Sequence, residues 1–464
     1  MANKVLNSRQ AVPGFAEGEG ELGAGIKKVE IVSNSDPSRS AEVTNGVVQL
    51  LYYESILQDT LRATVTFTDS GNTPSEGGGD GLGKSVKEGL PIDGEETVYI
   101  SIADNNGNSL DFKKENPFVV NTAPNLSDDT TKSVVQLDLA SAEFLVNENS
   151  RVNVRFDGKI SDHVKRIFED PNFLNTEKEL DIEETSNNYN FIGNNKKPFY
   201  WLNKLSQKSA GEHYEKSAGF FFFETYEGFK FKSIDTLLSK DKNKPKKSFI
   251  YNQSPTDVPA GYDGKALDYK FENKVNAQKK YAVGSSATKL KSFNPFSAAY
   301  NVIDSVADTL IEGLDVLAGG RLPSHNKLIQ KVDLATRTTF SFLDPGTLPS
   351  GNGFGKTQEQ LKKSGDQNFN TEQILNQSIM RYNQLFSAKV TITIPGDFSL
   401  HAGDAIFVDA PELQSNTKND EVSKESGGLY IIADLCHFIT PKQTLTKLNL
   451  VRDSFGRTGN HTQR

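Results

Sequence analysis

Asp434, Cys436 and His437, with His401 upstream, are the one set of residues in the chain with metal-ligand types close in sequence. Imidazole, thiolate and carboxylate together could hold a zinc-like ion. On a strand, however, Cys436 and His437 point to opposite faces and reach one ion only across a bulge, so a buried thiol beside an edge histidine is the plainer expectation. Ser161-Asp162-His163 supplies the types of a hydrolytic triad, but neighbours on one helical turn do not converge on a nucleophile. Glu177, Glu179, Asp181, Glu183 and Glu184 could pair for acid–base hydrolysis; nothing in their spacing sets a separation, and a solvated or interface face accounts for them. Two glycine-rich runs resemble phosphate cradles. Gly18-Glu19-Gly20-Glu21-Leu22-Gly23 has no strand before it and carries carboxylates that repel a pyrophosphate. Gly351-Asn352-Gly353-Phe354-Gly355-Lys356-Thr357 has Ser350 where a phosphate loop needs its first glycine. No catalytic, metal or cofactor residue is therefore assigned, and no enzyme is expected.

What remains is an architecture, and composition bounds it. At 464 residues the chain exceeds one ordinary core, so about three or four domains are expected. Hydrophobic residues at 36% and charged residues at 24% describe a folded chain with large polar loops. The 29 Phe and 14 Tyr, against two Met and one Trp, favour strands. A formal charge of −8 excludes a chain-wide basic footprint for nucleic acid, though not a channel that DNA passes without sticking. Cys436 is the sole cysteine, so no intrachain disulfide forms and a reducing compartment is expected. The first residues lack the apolar run of a signal peptide, and no stretch approaches about 18 uncharged apolar residues, so neither export nor membrane crossing is expected.

Along the chain, 1–21 reads as a mobile arm. Leu61, Ala63, Val65 and Phe67 alternate with Arg62, Thr64, Thr66 and Thr68, the period-two signature of a half-buried strand. With further strands at 26–32, 47–56, 97–102, 118–121 and 134–139, and a polar loop at 71–89, residues 22–147 are expected to form a first β-barrel domain. Residues 148–240 read as a small α+β domain. Ile160, Val164, Ile167 and Phe168 share a helical face with Ser161 as N-cap, and a second helix opens at Pro198 and turns Trp201, Leu202 and Leu205 inward. Phe220-Phe221-Phe222-Phe223 returns through a glycine-bearing turn as Phe229-Lys230-Phe231, a hairpin with one strand buried on both faces. Residues 241–295 are a lysine-rich linker and the start of a third region, with strand-like pieces at 267–271 and 281–283. Residues 296–370 form an insertion, with an amphipathic helix expected over 296–318 (Ile303, Val306, Leu310, Leu314 and Leu317 on one face) and a polar loop over 343–370. A helix from Thr371 to Leu385 opens the last domain, 371–455, and 456–464 is a frayed tail.

The first and last domains repeat one another. Ala63-Thr64-Val65-Thr66-Phe67-Thr68, Gly94-Glu95, Val98-Tyr99-Ile100 and Leu137-Asp138-Leu139 match Ala388-Lys389-Val390-Thr391-Ile392-Thr393, Gly403-Asp404, Ile406-Phe407-Val408 and Leu448-Asn449-Leu450 in the same order. A duplicated β-module gives each chain two similar docking surfaces, so a ring of few chains can seat on a ring of twice its symmetry. The fold class expected is β-rich α+β, with two similar antiparallel β-barrel domains of tube type, a small α+β domain and a helical and loop insertion.

The run Phe156-Asp157-Gly158-Lys159-Ile160-Ser161-Asp162, the block Gly219-Phe220-Phe221-Phe222-Phe223-Glu224-Thr225 and the terminal Leu448-Asn449-Leu450-Val451-Arg452-Asp453 together resemble the central baseplate hub of contractile-tailed phages, T-even-like and their marine and cyanobacterial relatives. The hub part of type VI secretion spike proteins is similar. The resemblance covers about 22–455, and the 284–370 insertion departs from it. It implies a virion protein assembled in the host cytoplasm: a homotrimer whose paired barrels form a pseudo-sixfold ring. Tail tube protein or its initiator would lie on one side, a trimeric central spike on the other, and other baseplate proteins around it. DNA would pass only in transit, and no cofactor is implied. On this reading Thr64, Thr66, Gly94, Lys389, Thr391 and Gly403 are the expected tube-type contacts. Phe221, Phe223 and Phe229, or the 296–318 helix, are the expected trimer contacts. A carbohydrate-binding or adhesive tail protein is the alternative, and a peptidoglycan hydrolase a third.

Overall fold

The computed structural model describes residues 25–71, 75–76, 85–90, 92–129, 132–212, 218–239, 241–251, 258–272, 277–294, 298–306, 337–344, 368, 371–410, 423 and 426–454. The expected arm, both glycine-rich runs, the greater part of the expected 71–89 loop and nearly all of the expected 343–370 loop lie outside them, as does the tail. The first module comprises β1 (Ile26–Val32), β2 (Val47–Ser55), β3 (Arg62–Asp69), β4 (Thr97–Ala103), β5 (Phe118–Thr122), β6 (Asn125–Asp128) and β7 (Ser133–Ser141). Alternation does what it should: Ala63, Val65 and Phe67 of β3 are buried and Thr64 and Thr66 face out. Neighbouring strands stand in the order β2-β3-β7-β5-β4-β1, all antiparallel.

Helix α1 (Ala142–Asn149) leads to the α+β region, where α2 (Ile160–Glu169) and α3 (Pro198–Ser206) pack on the hairpin of β8 (Phe220–Thr225) and β9 (Gly228–Ser233). Ile160, Val164, Ile167, Phe168, Trp201, Leu202 and Leu205 are all buried, and Pro198 opens α3 as its first residue. Ser161 is not the cap of α2: Lys159 holds that position, and Ser161 lies inside the helix with its N–H bonded to Thr185 Oγ1. A short helix, α4 (Ile234–Leu238), follows the hairpin.

The second module begins earlier than the last domain does in sequence. β10 (Lys247–Ile250) and β11 (Asp268–Glu272) come from the expected linker and pair with β16 (Ala405–Asp409) and β15 (Ala388–Pro395). Between them and β15 lie α5 (Ala277–Val283), the separate sheet β12 (Ala287–Asn294), β13 (Ala299–Val306) and β14 (Arg337–Phe342), and helix α6 (Thr371–Leu385). Residues 281–283 are therefore helical, not a strand. The described part of the expected 296–318 helix is a strand, since Tyr300, Val302 and Asp304 alternate across β13 with Ile303 and Ser305. α6 has the bounds expected.

β17 (Gly428–Thr440) and β18 (Gln443–Arg452) complete the second module in the order β11-β15-β18-β17-β16-β10. Apart from the far-edge strands β1 and β10, and with β5 and β6 counted as one, both modules read first, second, fifth, fourth, third in chain order. They differ at the far edge, where β1 runs antiparallel to β4 but β10 parallel to β16. The two modules form one sheet, because β2 pairs with β17 from Asp434↔Ser55 to Ile439↔Leu50. One apolar cluster runs through both, including Val65 and Leu137 from one and Ile392 and Leu448 from the other. Two closed barrels were expected; among the described residues no ladder closes either module, because the β2 edge is taken by β17 instead.

Candidate assembly surface

The joint between the modules is built around a buried acid. Glu54 lies on the core-facing side of β2 with Leu50 and Tyr52, a parity that should carry apolar residues. Four donors converge on it: Tyr52 Oη (2.6 Å), the Tyr226 N–H (2.9 Å), His401 Nδ1 (3.0 Å) and the Ala402 N–H (2.8 Å). They come from the first module, the hairpin turn and the second module, so one carboxylate ties three regions. Burial alone would raise its pKa, but the His401 charge and these bonds hold it down to about 2. Burial would likewise lower His401, yet the facing carboxylate raises it, so the pair is ionised. Composition and repeats gave no sign of Glu54; the signal was an acid at a core position in an alternating strand.

The duplication extends to single residues. Thr64 Oγ1 donates to Asp138 (3.2 Å) across β3 and β7, and Thr391 Oγ1 donates to Asn449 (3.0 Å) across β15 and β18. A bulge follows one strand further on in both: Asn121 of β5 is extra opposite the Asp138–Leu139 step of β7, and Ala433 of β17 is extra opposite the Asn449–Leu450 step of β18. The turn before β4 matches that before β16. Glu95 and Gly403 both take positive φ (67° and 88°), and their N–H groups bond to Val120 and Ile432. Glu96 and Asp404 each accept the N–H three residues back, from Asp93 and His401. Thr64 is thus equivalent to Thr391, not to Lys389, and Glu95 rather than Gly94 to Gly403. The sequence match slips by two residues at the strand and by one at the turn.

Thr64, Thr66, Lys389 and Thr391 all lie on the sheet face turned away from the core, within one continuous surface. Gly94 and Gly403 are not alike. A Cβ on Gly94 would meet nothing, whereas one on Gly403 would stand 3.0 Å from the Phe223 ring. The hairpin thus covers the second turn and leaves the first open. Phe221 and Phe223 pack with Ala405, Leu429 and Ile431 of the second module, while Phe229 packs with Phe222 and Phe168 in the α+β core. All three rings are buried within one chain, which leaves almost no area for another subunit to cover. The two-faced core strand expected of 220–223 is what forms. Exposed aromatics occur elsewhere: Tyr300, Phe340 and Phe342, at 72, 71 and 74% exposure, share the outer face of the β12–β14 sheet.

The other reactive types do not converge. His437 is fully buried, bonded through Nδ1 to Thr446 and pushed by burial to a pKa of about 3, while Cys436 is the half-exposed one. This reverses the expected placement, because Leu435 and Ile439 set the inward parity that His437 shares. No cluster able to hold a metal ion exists among the described residues. His163 Nε2 bonds to the Tyr189 carbonyl, Ser161 to Glu184 and Glu183 to Ser233; these bonds hold the domain together. Among the described residues no helix is long and apolar enough to cross a membrane.

No family model and no curated protein matches the sequence. Solved structures do match the path of the chain. The 43 kDa tail protein of prophage MuSo2 from Shewanella oneidensis aligns over 93% of this chain and 100% of its own, at a TM-score of 0.50 and 10% identity. A tail protein from Neisseria meningitidis MC58 aligns over 93% and 97%, at 0.51 and 9%. The chain has the fold of prophage tail proteins. The hub resemblance read from the sequence agrees with that fold. A type VI secretion component of E. coli aligns over 93% and 80%, at 0.40 and 8%.

Proposed function

We propose that this protein is the structural hub of a contractile phage tail baseplate, a virion component without catalysis of its own. Three copies form a ring in which six similar modules imitate sixfold symmetry, each module closing its barrel-like wall against the next. A hexameric tail tube seats on one side through the outward strands around Thr64, Thr66, Lys389 and Thr391, with the turns at Gly94 and Gly403. A trimeric spike attaches on the other side, other baseplate proteins surround the ring, and DNA crosses its centre in transit. The observation that carries this reading is the residue-for-residue duplication of a five-strand order, with its bulge, turn and Thr–Asx rung. The outward face of these strands mixes Asp138, Asp434 and Asp268 with Lys389, Lys447 and Lys270 among hydroxyls and amides, without the basic excess that would hold phosphates. Phe221, Phe223 and Phe229 have no part in the trimer contact.

The adhesive alternative has the exposed Tyr300 face behind it, but the sole tryptophan, Trp201, is buried with its Nε1 bonded to Gly193. Light scattering with negative-stain imaging of the purified chain tests the hub reading. A ring of three subunits with a central hole is expected, and a strict monomer at every concentration would overturn it.

A further inference from the structure

The register that equates the two modules also equates their edges. With Thr64 matched to Thr391, β2 corresponds to β11, so that Tyr52 stands for Phe271 and Tyr53 for Glu272. With Asp138 matched to Asn449, the first half of β17 corresponds to β5 and its second half to β6. Cys436, opposite Lys447, then stands for Pro124, whose carbonyl accepts the N–H of Gln136, the counterpart of Lys447. Inside the chain, β2 and the second half of β17 pair with each other. Their counterparts, β11 and the run through Pro124 to β6, carry no further strand on their outer edges among the described residues.

We propose that a second copy of this chain takes that place: the edge of β6 in one subunit pairs antiparallel with β11 in the next, repeating between chains the joint that β2 and β17 make within one. The inference rests on the ring proposed above and gives its contact a register. Cys436 opposite Tyr53 becomes Pro124 opposite Glu272, and His437 opposite Tyr52 becomes Asn125 opposite Phe271.

Burial argues for this occupant. At the internal joint Leu50 and Tyr52 are completely buried, because β17 covers the edge. Their counterparts Tyr269 and Phe271 rest against the same apolar cluster but stay half-buried, so the core is finished at one end and unfinished at the other. On the opposite edge Leu126 is 55% exposed beside Pro124. The turn is open in the same way: Asp93 and Gly94 face solvent where their counterparts His401 and Ala402 are held by Glu54 from β2. A strand edge that carries no further strand among the described residues invites another. A heterologous contact repeated round a three-fold axis closes instead of running on.

Disulfide trapping tests the register. In a Cys436→Ser background, Pro124→Cys combined with Glu272→Cys is expected to give, on oxidation, covalent dimer and trimer on denaturing gels. Pro124→Cys with Lys270→Cys is the control. It moves one thiol two residues along the same face, about 6.6 Å, beyond the roughly 7 Å Cα separation a disulfide spans once the strand spacing is added. Light scattering and circular dichroism on the reduced variants run alongside. A folded trimer that links in the first pair and not in the control supports the inference. A folded trimer that links in neither, or equally in both, overturns it and leaves the hub reading standing. A monomer throughout, in the unsubstituted chain as well, overturns the hub reading and this contact with it.

Discussion

Glu54→Gln tests the joint most directly. The Glu54 side chain has no exposed surface and accepts from Tyr52, Tyr226, His401 and Ala402. Glutamine keeps the volume, but one of its two polar atoms becomes a donor facing other donors, and His401 loses its counter-ion. Removing one partner of a buried ion pair costs about 3–5 kcal/mol, and because the amide oxygen retains part of the set, about 3 kcal/mol is expected. Its pH dependence is more telling than its size. Glu54 is lowered from 4.5 to about 2, so its contribution is complete above about pH 4.5 and lost as pH falls toward 2. His401 is raised above 6.5, so its contribution is complete below about pH 6.5 and lost as pH rises through its folded value. The stability gap between the two proteins is therefore widest from about pH 4.5 to 6.5 and narrows on either side, by at most about 1.4 kcal/mol per pH unit. Urea titrations read by far-UV circular dichroism, at about pH 5.5 and about pH 9, measure it. A gap of equal size at both would refute an ionised pair and the latch built on it.

Other substitutions separate positions that look alike in sequence. Gly403→Ala adds a Cβ at φ 88° and 3.0 Å from Phe223, for an expected loss of about 2–3 kcal/mol; Gly94→Ala, at φ 106° in open space, should lose about 1 kcal/mol by the same titration. Phe223→Ala empties a fully buried site and should lose about 3–5 kcal/mol, while Phe342→Ser should stay within about 0.5 kcal/mol in thermal or chemical melts. Arg381 makes two 2.6 Å bonds to Asp235 in a buried pair that ties α6 to α4. Arg381→Met alone should cost about 3–5 kcal/mol, and adding Asp235→Leu should recover most of it; a double variant no better than the single would show that the aspartate alone is well solvated.

The element types legible in the sequence were those fixed by local pattern. The alternation at 61–68, the apolar faces of α2 and α3, the Phe hairpin and α6 depend on spacing alone, and they form as read. What failed depended on partners far away in the chain. The 296–318 segment carries Ile303 and Val306 at helical spacing and Tyr300, Val302 and Asp304 at strand spacing, and pairing with β12 and not propensity decides for the strand. Cys436 and His437 were assigned to faces by residue type, whereas the parity of Leu435 and Ile439 decides. The repeat was visible, but its register was not. An alternating strand matches itself at every second residue, so sliding Thr64 from Thr391 to Lys389 keeps every face intact. Only the rung to Asp138 or Asn449, which needs the opposite strand, fixes the true offset.

That rung, the bulge and the turn acid are polar features that the two copies share at equivalent positions. Apolar positions can drift, since Ala63 in one module where the other has Val390, or Phe67 where it has Ile394, keeps the wall filled so long as volume is made up nearby. The turn acids Glu96 and Asp404 are buried and cannot drift alone, because each donor left without its acceptor costs about 1–3 kcal/mol. Where the copies do part company, the divergence falls on the contacts outside the module. His401 replaces Asp93 and meets Glu54, Gly403 replaces Glu95 and admits Phe223, and the second turn is sealed by the rest of its own chain. The first turn keeps the same skeleton and lacks the seal. A subunit with one joint completed internally and its equivalent left open has two edges of matched register, which is what the proposed ring of identical chains requires.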